Sequence, residues 1–175
     1  MYIRTKNRSK KDGSQLNYSY LVSSKRKYKK PRQKTLKYLG KVVDFSHKIT
    51  TPLNIEDKQT YVQKDYKDII KDLIKNELVQ IGFQNIKDDL FLKDIYKIDL
   101  FNITFQTSNK KPFVIKINDG FLCKYTANSL INFKFENKTQ KECIKLFTNQ
   151  IISTGINIDK ELFILLFKKI YPYEN

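Results

Sequence analysis

A run of cations around one aromatic residue is the part of this sequence best suited to chemistry with a polyanion. Residues 23–31 read SSKRKYKKP, and further bases follow at Arg32, Lys34 and Lys37. Lysine and arginine neutralise phosphates and release counterions, and this attraction supplies essentially all of non-specific nucleic-acid binding. Tyr28 lies inside the run, where an aromatic ring is able to stack on a base or a ribose. This residue pattern indicates contact with nucleic acid.

The charge of the chain is concentrated in its first quarter. Residues 1–48 hold fifteen Lys and Arg against two Asp, a net charge of +13, whereas the other 127 residues hold nineteen bases and sixteen acids, a net charge of +3. A field this one-sided attracts polyanions. The predicted nucleic-acid-binding residues are Arg4, Lys6, Arg8, Lys25, Arg26, Lys27, Tyr28, Lys29, Lys30, Arg32, Lys34 and Lys37. The alternative is a solvated face that supports solubility; a membrane surface is less favoured, because no amphipathic basic helix is predicted here.

Residues suited to catalysis are few. His47 is the only histidine and has no metal-ligand spacing around it. Asp88, Asp89, Asp94 and Asp99 could form a carboxylate cluster for Mg²⁺ in a nuclease, but adjacent aspartates in a polar turn more often face solvent or cap helices. No GxGxxG, Walker or GxSxG motif occurs. We therefore expect a protein without catalytic activity, cofactor or metal.

The elements that must position the cations form a predicted three-stranded antiparallel β-meander over residues 1–44. The alternating patterns predict strands over Tyr2–Arg8, Leu16–Ser23 and Arg32–Leu39. Asp12-Gly13 marks a tight turn after the first strand, and Gly40 closes the third. Alternation in the second strand predicts an apolar face formed by Leu16, Tyr18, Tyr20 and Val22. The opposite face and a cationic loop over residues 23–31 present the bases.

The pattern YIRTK…YLV…KYKKPRQKTLKYLGK resembles the N-terminal segment of IS1634-type (IS4-like) transposases and of assorted archaeal proteins. The similarity covers about forty residues, and Arg32-Gln33 and Leu39-Gly40 fall at matching positions. Such transposases continue into a long catalytic domain, which this chain is too short to contain. The resemblance therefore implies a basic hairpin module that binds DNA, and not the transposition chemistry.

Residues 57–175 are predicted to form an α+β domain after a linker over 45–56. A helix is expected over Asp57–Ile81 with Gly82 just beyond its end. Alternation over Tyr96–Gln106 predicts one strand, and residues 113–118 and 121–123 add others to a small antiparallel sheet. Together with the meander, the fold class is α+β with about three helices.

The C-terminal helices carry clear start and stop signals. Thr139 and Glu142 form a capping box for a helix that runs to about Thr154 before Gly155. Its predicted buried side is Cys143, Ile144, Leu146, Phe147, Ile151 and Ile152. Asp159 is the predicted N-cap of a last helix, Lys160–Ile170, which is apolar nearly all round and so should be buried in this fold or in a complex.

Location and function follow from these patterns. No apolar run approaches the roughly 18 residues of a membrane span, no signal peptide opens the chain, and Cys123 and Cys143 read as buried free thiols of the cytosol. We predict a cytoplasmic, non-catalytic nucleic-acid-binding protein, with DNA slightly favoured over RNA or a ribosome. The alternative is a protein-interaction subunit that docks through its apolar C-terminal helix. A small metal-dependent nuclease is the third hypothesis.

Overall fold

The described part of the chain forms two β-sheets and five α-helices. The computed structural model describes residues 1–27, 30–45, 55, 57–135 and 139–171. The first sheet has the strand order β1-β2-β3-β8-β9, and the second has the order β4-β5-β6-β7. The strands are β1 Tyr2–Ser9, β2 Gln15–Lys27, β3 Lys30–Val43, β4 Gln84–Lys87, β5 Leu90–Lys93, β6 Tyr96–Asp99, β7 Thr104–Thr107, β8 Phe113–Ile117 and β9 Gly120–Leu122. The helices are α1 Lys58–Tyr61, α2 Tyr66–Gln80, α3 Lys124–Ile131, α4 Gln140–Thr154 and α5 Lys160–Ile170. The predicted α+β class is confirmed.

The N-terminal meander has the predicted three antiparallel strands, but two of them are much longer than predicted. β2 continues to Lys27 and β3 begins at Lys30, so most of the predicted cationic loop is paired strand. Pro31 has no N–H to donate, but it does not end the pairing, because β2 and β3 are both edge strands at this end and an edge strand tolerates proline. The loop prediction was therefore wrong for the described residues of 23–31.

The meander is not a sheet of its own, because β3 pairs in parallel with β8 through Lys41↔Phe113, Val42↔Val114 and Val43↔Ile115. The sheet thus crosses the boundary predicted between residues 1–44 and 57–175. Gly40 lies inside β3 instead of closing it. Its φ is +140°, and an added Cβ would lie 2.6 Å from the Pro112 carbonyl oxygen. Glycine is therefore what lets β3 approach β8 this closely.

Two helices replace the single helix predicted over Asp57–Ile81. The side chains of Asp57 and Asp65 accept bonds from the backbone N–H groups of Thr60 and Lys67, each 3.0 Å long. Each aspartate therefore begins a helix of its own, since an N-cap satisfies the otherwise unpaired first N–H groups. Gly82, with φ of +87°, follows α2 as predicted.

The predicted strand Tyr96–Gln106 is a hairpin of two strands, β6 and β7. The Asp99 carboxylate accepts bonds from the backbone N–H of Asn102 at 2.9 Å and from its side-chain amide at 2.8 Å, which holds the turn. Ile103 has a positive φ of 49° in the same turn. The four-stranded sheet is therefore built from residues 84–107, and β8 and β9 belong to the first sheet instead.

The C-terminal helix boundaries are confirmed. Thr139 N–H donates to the Glu142 carboxylate at 3.0 Å, and Asp159 accepts from the Leu162 N–H at 3.0 Å. The buried face of α4 is narrower than predicted, because three of its apolar residues are exposed: Ile144, Leu146 and Ile152. No helix among the described residues is long and apolar enough to cross a membrane.

Candidate nucleic-acid interface

A two-stranded ribbon projects beyond the start of β1 and carries the densest charge. β1 ends its pairing at Tyr2↔Val22, whereas β2 and β3 continue through five further pairs, from Ser23↔Lys34 to Lys27↔Lys30. We call residues 23–27 and 30–34 the basic ribbon. Five residues of strand span about 17 Å. The cations of the basic ribbon therefore lie on a part of the sheet that is formed by β2 and β3 without β1.

The ribbon places like charges opposite one another. Lys25 lies directly across the ladder from Arg32, and Lys27 lies across from Lys30. Like charges at directly opposed positions destabilise a strand pair. No Asp or Glu occurs anywhere between Asp12 and Asp44 to offset them. The arrangement favours an external anion, because an anion would relieve this repulsion.

The side chains of the predicted site residues divide between the ribbon and the rest of the meander. Lys25, Arg32 and Lys34 of the ribbon are exposed, as is Lys37 just beyond it. The side chains of Arg26, Lys27 and Lys30 lie outside what the structure describes, although their backbones are paired strand. Tyr28 and Lys29 lie entirely outside the described residues, so stacking by Tyr28 stays a prediction.

The remaining predicted cations, Arg4, Lys6 and Arg8, lie on one side of β1, which we call the outer face. Opposed residues in an antiparallel ladder project to the same side, and the pairs Arg4↔Tyr20 and Lys6↔Tyr18 therefore put both tyrosines on this face too. The opposite side packs inward instead: Leu21 and Leu39 are buried against Val114 and Cys123, with Ile3 beside them.

The sequence predicted that the tyrosines and the basic residues lie on opposite faces of the meander, and this prediction was wrong. Of the predicted apolar face, Val22 is buried, but Leu16, Tyr18 and Tyr20 are only half-buried. Strict alternation offers two candidate faces, and the first sheet buries the one that carries Leu21. A tyrosine at a half-buried position keeps its hydroxyl in water while its ring covers the sheet.

A cluster of three tyrosines forms the centre of the outer face. The ring centroid of Tyr38 lies 5.5 Å from that of Tyr20 and 6.2 Å from that of Tyr18. Lys6 Nζ lies 5.3 Å from the Tyr20 ring centroid, and Arg8 Cζ lies 5.7 Å from that of Tyr18. Arg8 and the three rings line an open hollow of about 320 Å³. Sequence reasoning missed Tyr38, although its position opposite Tyr20 follows once the ladder is known.

The surroundings of Tyr38 move its pKa further from neutral pH. Partial burial, with the neighbouring Tyr18 and Tyr20 hydroxyls, raises the pKa of Tyr38 above its usual value, and the charge of Arg8 opposes that rise. The Tyr38 hydroxyl therefore stays protonated near pH 7. The outer face thus combines aromatic surface with the positively charged side chains beside it.

The carboxylates considered for a metal are each engaged elsewhere or set in turns. Asp89 pairs with Lys71 at 3.1 Å and with Lys75 at 2.7 Å. Asp99 holds the turn at Asn102, and Asp88 and Asp94 have the positive φ of turn residues. Within the described ranges, no group of three or more His, Cys, Asp and Glu could hold a metal ion. His47 lies outside those ranges.

Most of the apolar side of the last helix packs within the fold. Leu162, Leu166 and Phe167 of α5 are buried, and Phe167 contacts the ring of Tyr171 with centroids 5.4 Å apart. Ile164 is its exposed large apolar residue. Docking of a protein partner through α5 stays a prediction. Both cysteines are buried and form no disulfide, as the sequence predicts.

Comparison of the chain with protein-family models, with curated proteins and with solved structures finds no match.

Proposed function

We propose that the chain is a cytoplasmic, non-catalytic nucleic-acid-binding protein that contacts phosphates through its N-terminal strands. The observation that carries the proposal is the ladder of like-charge pairs in the basic ribbon, Lys25↔Arg32 and Lys27↔Lys30. Charges opposed in this way cost folding free energy, and a phosphate backbone converts that cost into binding free energy. The rest of the chain, near electrical balance, serves as the scaffold that holds the first sheet.

The dimensions of the basic ribbon favour duplex DNA as its target. Neighbouring strands lie about 4.8 Å apart, and the major groove of B-DNA, about 12 Å wide, admits a two-stranded β-ribbon. The major groove of double-stranded RNA is too deep and narrow for side chains to read. The resemblance of residues 2–41 to the transposase segment supports DNA as well. RNA is the second candidate, with the same phosphate contacts.

The proposal is tested by the salt dependence of binding to a DNA duplex. If about five cations of the basic ribbon meet phosphates, log K should fall against log salt concentration with a slope of about −4 to −5. A fourfold rise in salt should then weaken binding roughly 500-fold. An affinity that does not change with salt would refute phosphate binding, as would the absence of any binding at low salt.

A further inference from the structure

We infer that the outer face of the meander binds single-stranded nucleic acid by stacking an unpaired base on Tyr38. This inference rests on the proposed function and deepens it, because it assigns a second contact of different chemistry. The basic ribbon offers charge for phosphates, whereas the outer face offers aromatic rings beside charge. Base–aromatic stacking next to a cationic track is the usual means of holding single strands.

Tyr38 is the ring with room for a base. The residue is 43% exposed. The rings of Tyr18 and Tyr20 are less exposed, and each already has a cation near one face. The three rings are inclined by 48° and 52° instead of stacked on one another. A flat base can therefore enter the hollow beside Tyr38 without separating a stacked pair.

The cations around the hollow are held where the phosphates of such a strand would run. Lys6 and Arg8 are fixed by their positions over Tyr20 and Tyr18, because a cation is attracted to the negative face of an aromatic ring. Lys41 is also exposed and lies opposite Tyr18 in the ladder. Side chains placed in advance lose less conformational entropy on binding.

The charge and chemistry of the outer face select a single strand over other occupants. A protein surface would have to supply several carboxylates for Arg4, Lys6, Arg8 and Lys41 as well as a planar group for Tyr38. A nucleic-acid strand carries a phosphate for every base and so supplies both. A duplex supplies only the phosphates, because its bases are already stacked and paired.

The test compares two tyrosines of nearly equal exposure on the same side of the meander. Tyr38→Ile removes the ring but keeps a residue with strong strand propensity. Tyr2→Ile is the matched control, because Tyr2 is 41% exposed and lies at the far end of the outer face, opposite Val22. Tyr38→Phe keeps the ring and removes only the hydroxyl. The probes are a labelled oligothymidylate of roughly 10 nucleotides and a DNA duplex of matched length, and the melting temperature is measured for each variant.

We expect Tyr38→Ile to weaken oligothymidylate binding about fivefold to a hundredfold, the range found for loss of one base–aromatic stack. Duplex binding should stay within about twofold, and Tyr38→Phe and Tyr2→Ile should bind both probes like the unaltered chain.

Three outcomes would overturn the inference. Unchanged oligothymidylate binding by Tyr38→Ile, with salt-sensitive duplex binding intact, removes the stacking site and leaves the proposed function standing. Equal losses on both probes with a lowered melting temperature mean that the ring only supports the sheet. If the unaltered chain binds neither probe, the proposed function falls together with the inference.

Discussion

Alanine at Gly40 should destabilise the protein far more than alanine at Gly13, although both glycines have a positive φ. The angles are +140° at Gly40 and +78° at Gly13, and the strain of placing a side chain there is about 1–2 kcal/mol. Nothing lies within 4 Å of the Cβ that would be added at Gly13. Its substitution should therefore cost only the backbone strain, about 1 kcal/mol.

At Gly40 the new Cβ would also collide with backbone. It would lie 2.6 Å from the Pro112 carbonyl oxygen and 2.7 Å from Phe113 Cα. These atoms are part of β8 and its approach and do not rotate away as a flexible side chain would, so β3 must move away from β8. That movement weakens three backbone pairs and the packing of Leu39 against Val114. We expect a total loss of about 3–5 kcal/mol, since the packing loss of one large core residue is added to the strain.

Urea unfolding of both variants measures this difference, and hydrogen exchange at the backbone amides of residues 41–43 and 113–115 locates it. Faster exchange in Gly40→Ala alone, at the amides that bond across these two segments, would show that β3 has separated from β8. If the two variants lose equal stability to within about 0.5 kcal/mol, the close approach of the two strands at Gly40 is refuted.

Two further predictions concern the core and its edge. The Tyr66 hydroxyl donates to the Leu130 carbonyl at 2.9 Å between α2 and α3, so Tyr66→Phe should lower the free energy of unfolding by about 1 kcal/mol in urea titrations; no change would mean that the bond contributes nothing. Burial alone would raise the pKa of Asp89, but its bonds to Lys75 and Lys71 outweigh burial and lower that pKa. Asp89→Asn should therefore lower the free energy of unfolding by about 1 kcal/mol at pH 7. This loss should shrink as the pH falls through about 3.9 and below, because the carboxylate of the unaltered chain then becomes protonated. A loss that does not change with pH would contradict the ion pairs.

Local signals in the sequence were sufficient for the C-terminal helices. Thr139 with Glu142, Asp159 and Gly155 each act within one helical turn, so their positions fix the helix ends directly. Two N-caps within one apolar pattern, Asp57 and Asp65, were harder to separate. The spacing of apolar residues continues across both, and only the hydrogen bonds of Asp65 show where α2 begins.

Pairing between distant segments could not be read from local pattern. β3 and β8 are about seventy residues apart, and the alternation of each strand says which residues share a face but not which strand lies beside it. Gly40 looked like the end of a strand for the same reason. Its use as a point of close approach depends on Pro112, which the local sequence does not reveal.

The sequence predicted which part of the chain carries the charge of the interface, but it did not predict which side chains share a face. Composition places the cations in the first quarter of the chain, since counting Lys and Arg needs no fold. Which face carries the tyrosines depends on the cover supplied by Val114 and Cys123, which lie in β8 and immediately after β9. Apolar side chains at Ile3 and Leu21 meet that cover, and Tyr18, Tyr20 and Tyr38 are left on the other side with Lys6 and Arg8.

The most direct test of nucleic-acid binding through the basic ribbon compares two variants that lose the same net charge. Lys25→Gln, Arg32→Gln and Lys34→Gln together remove three exposed cations of the basic ribbon, and Lys141→Gln, Lys145→Gln and Lys169→Gln remove three exposed cations from α4 and α5. Each lost phosphate contact changes the salt slope by about 0.9, so the slope on duplex DNA should move from about −4.5 to about −1.8 in the ribbon variant. It should stay near −4.5 in the helix variant. Equal slopes in both variants, or an unchanged slope and affinity in the ribbon variant, would contradict phosphate binding by the basic ribbon.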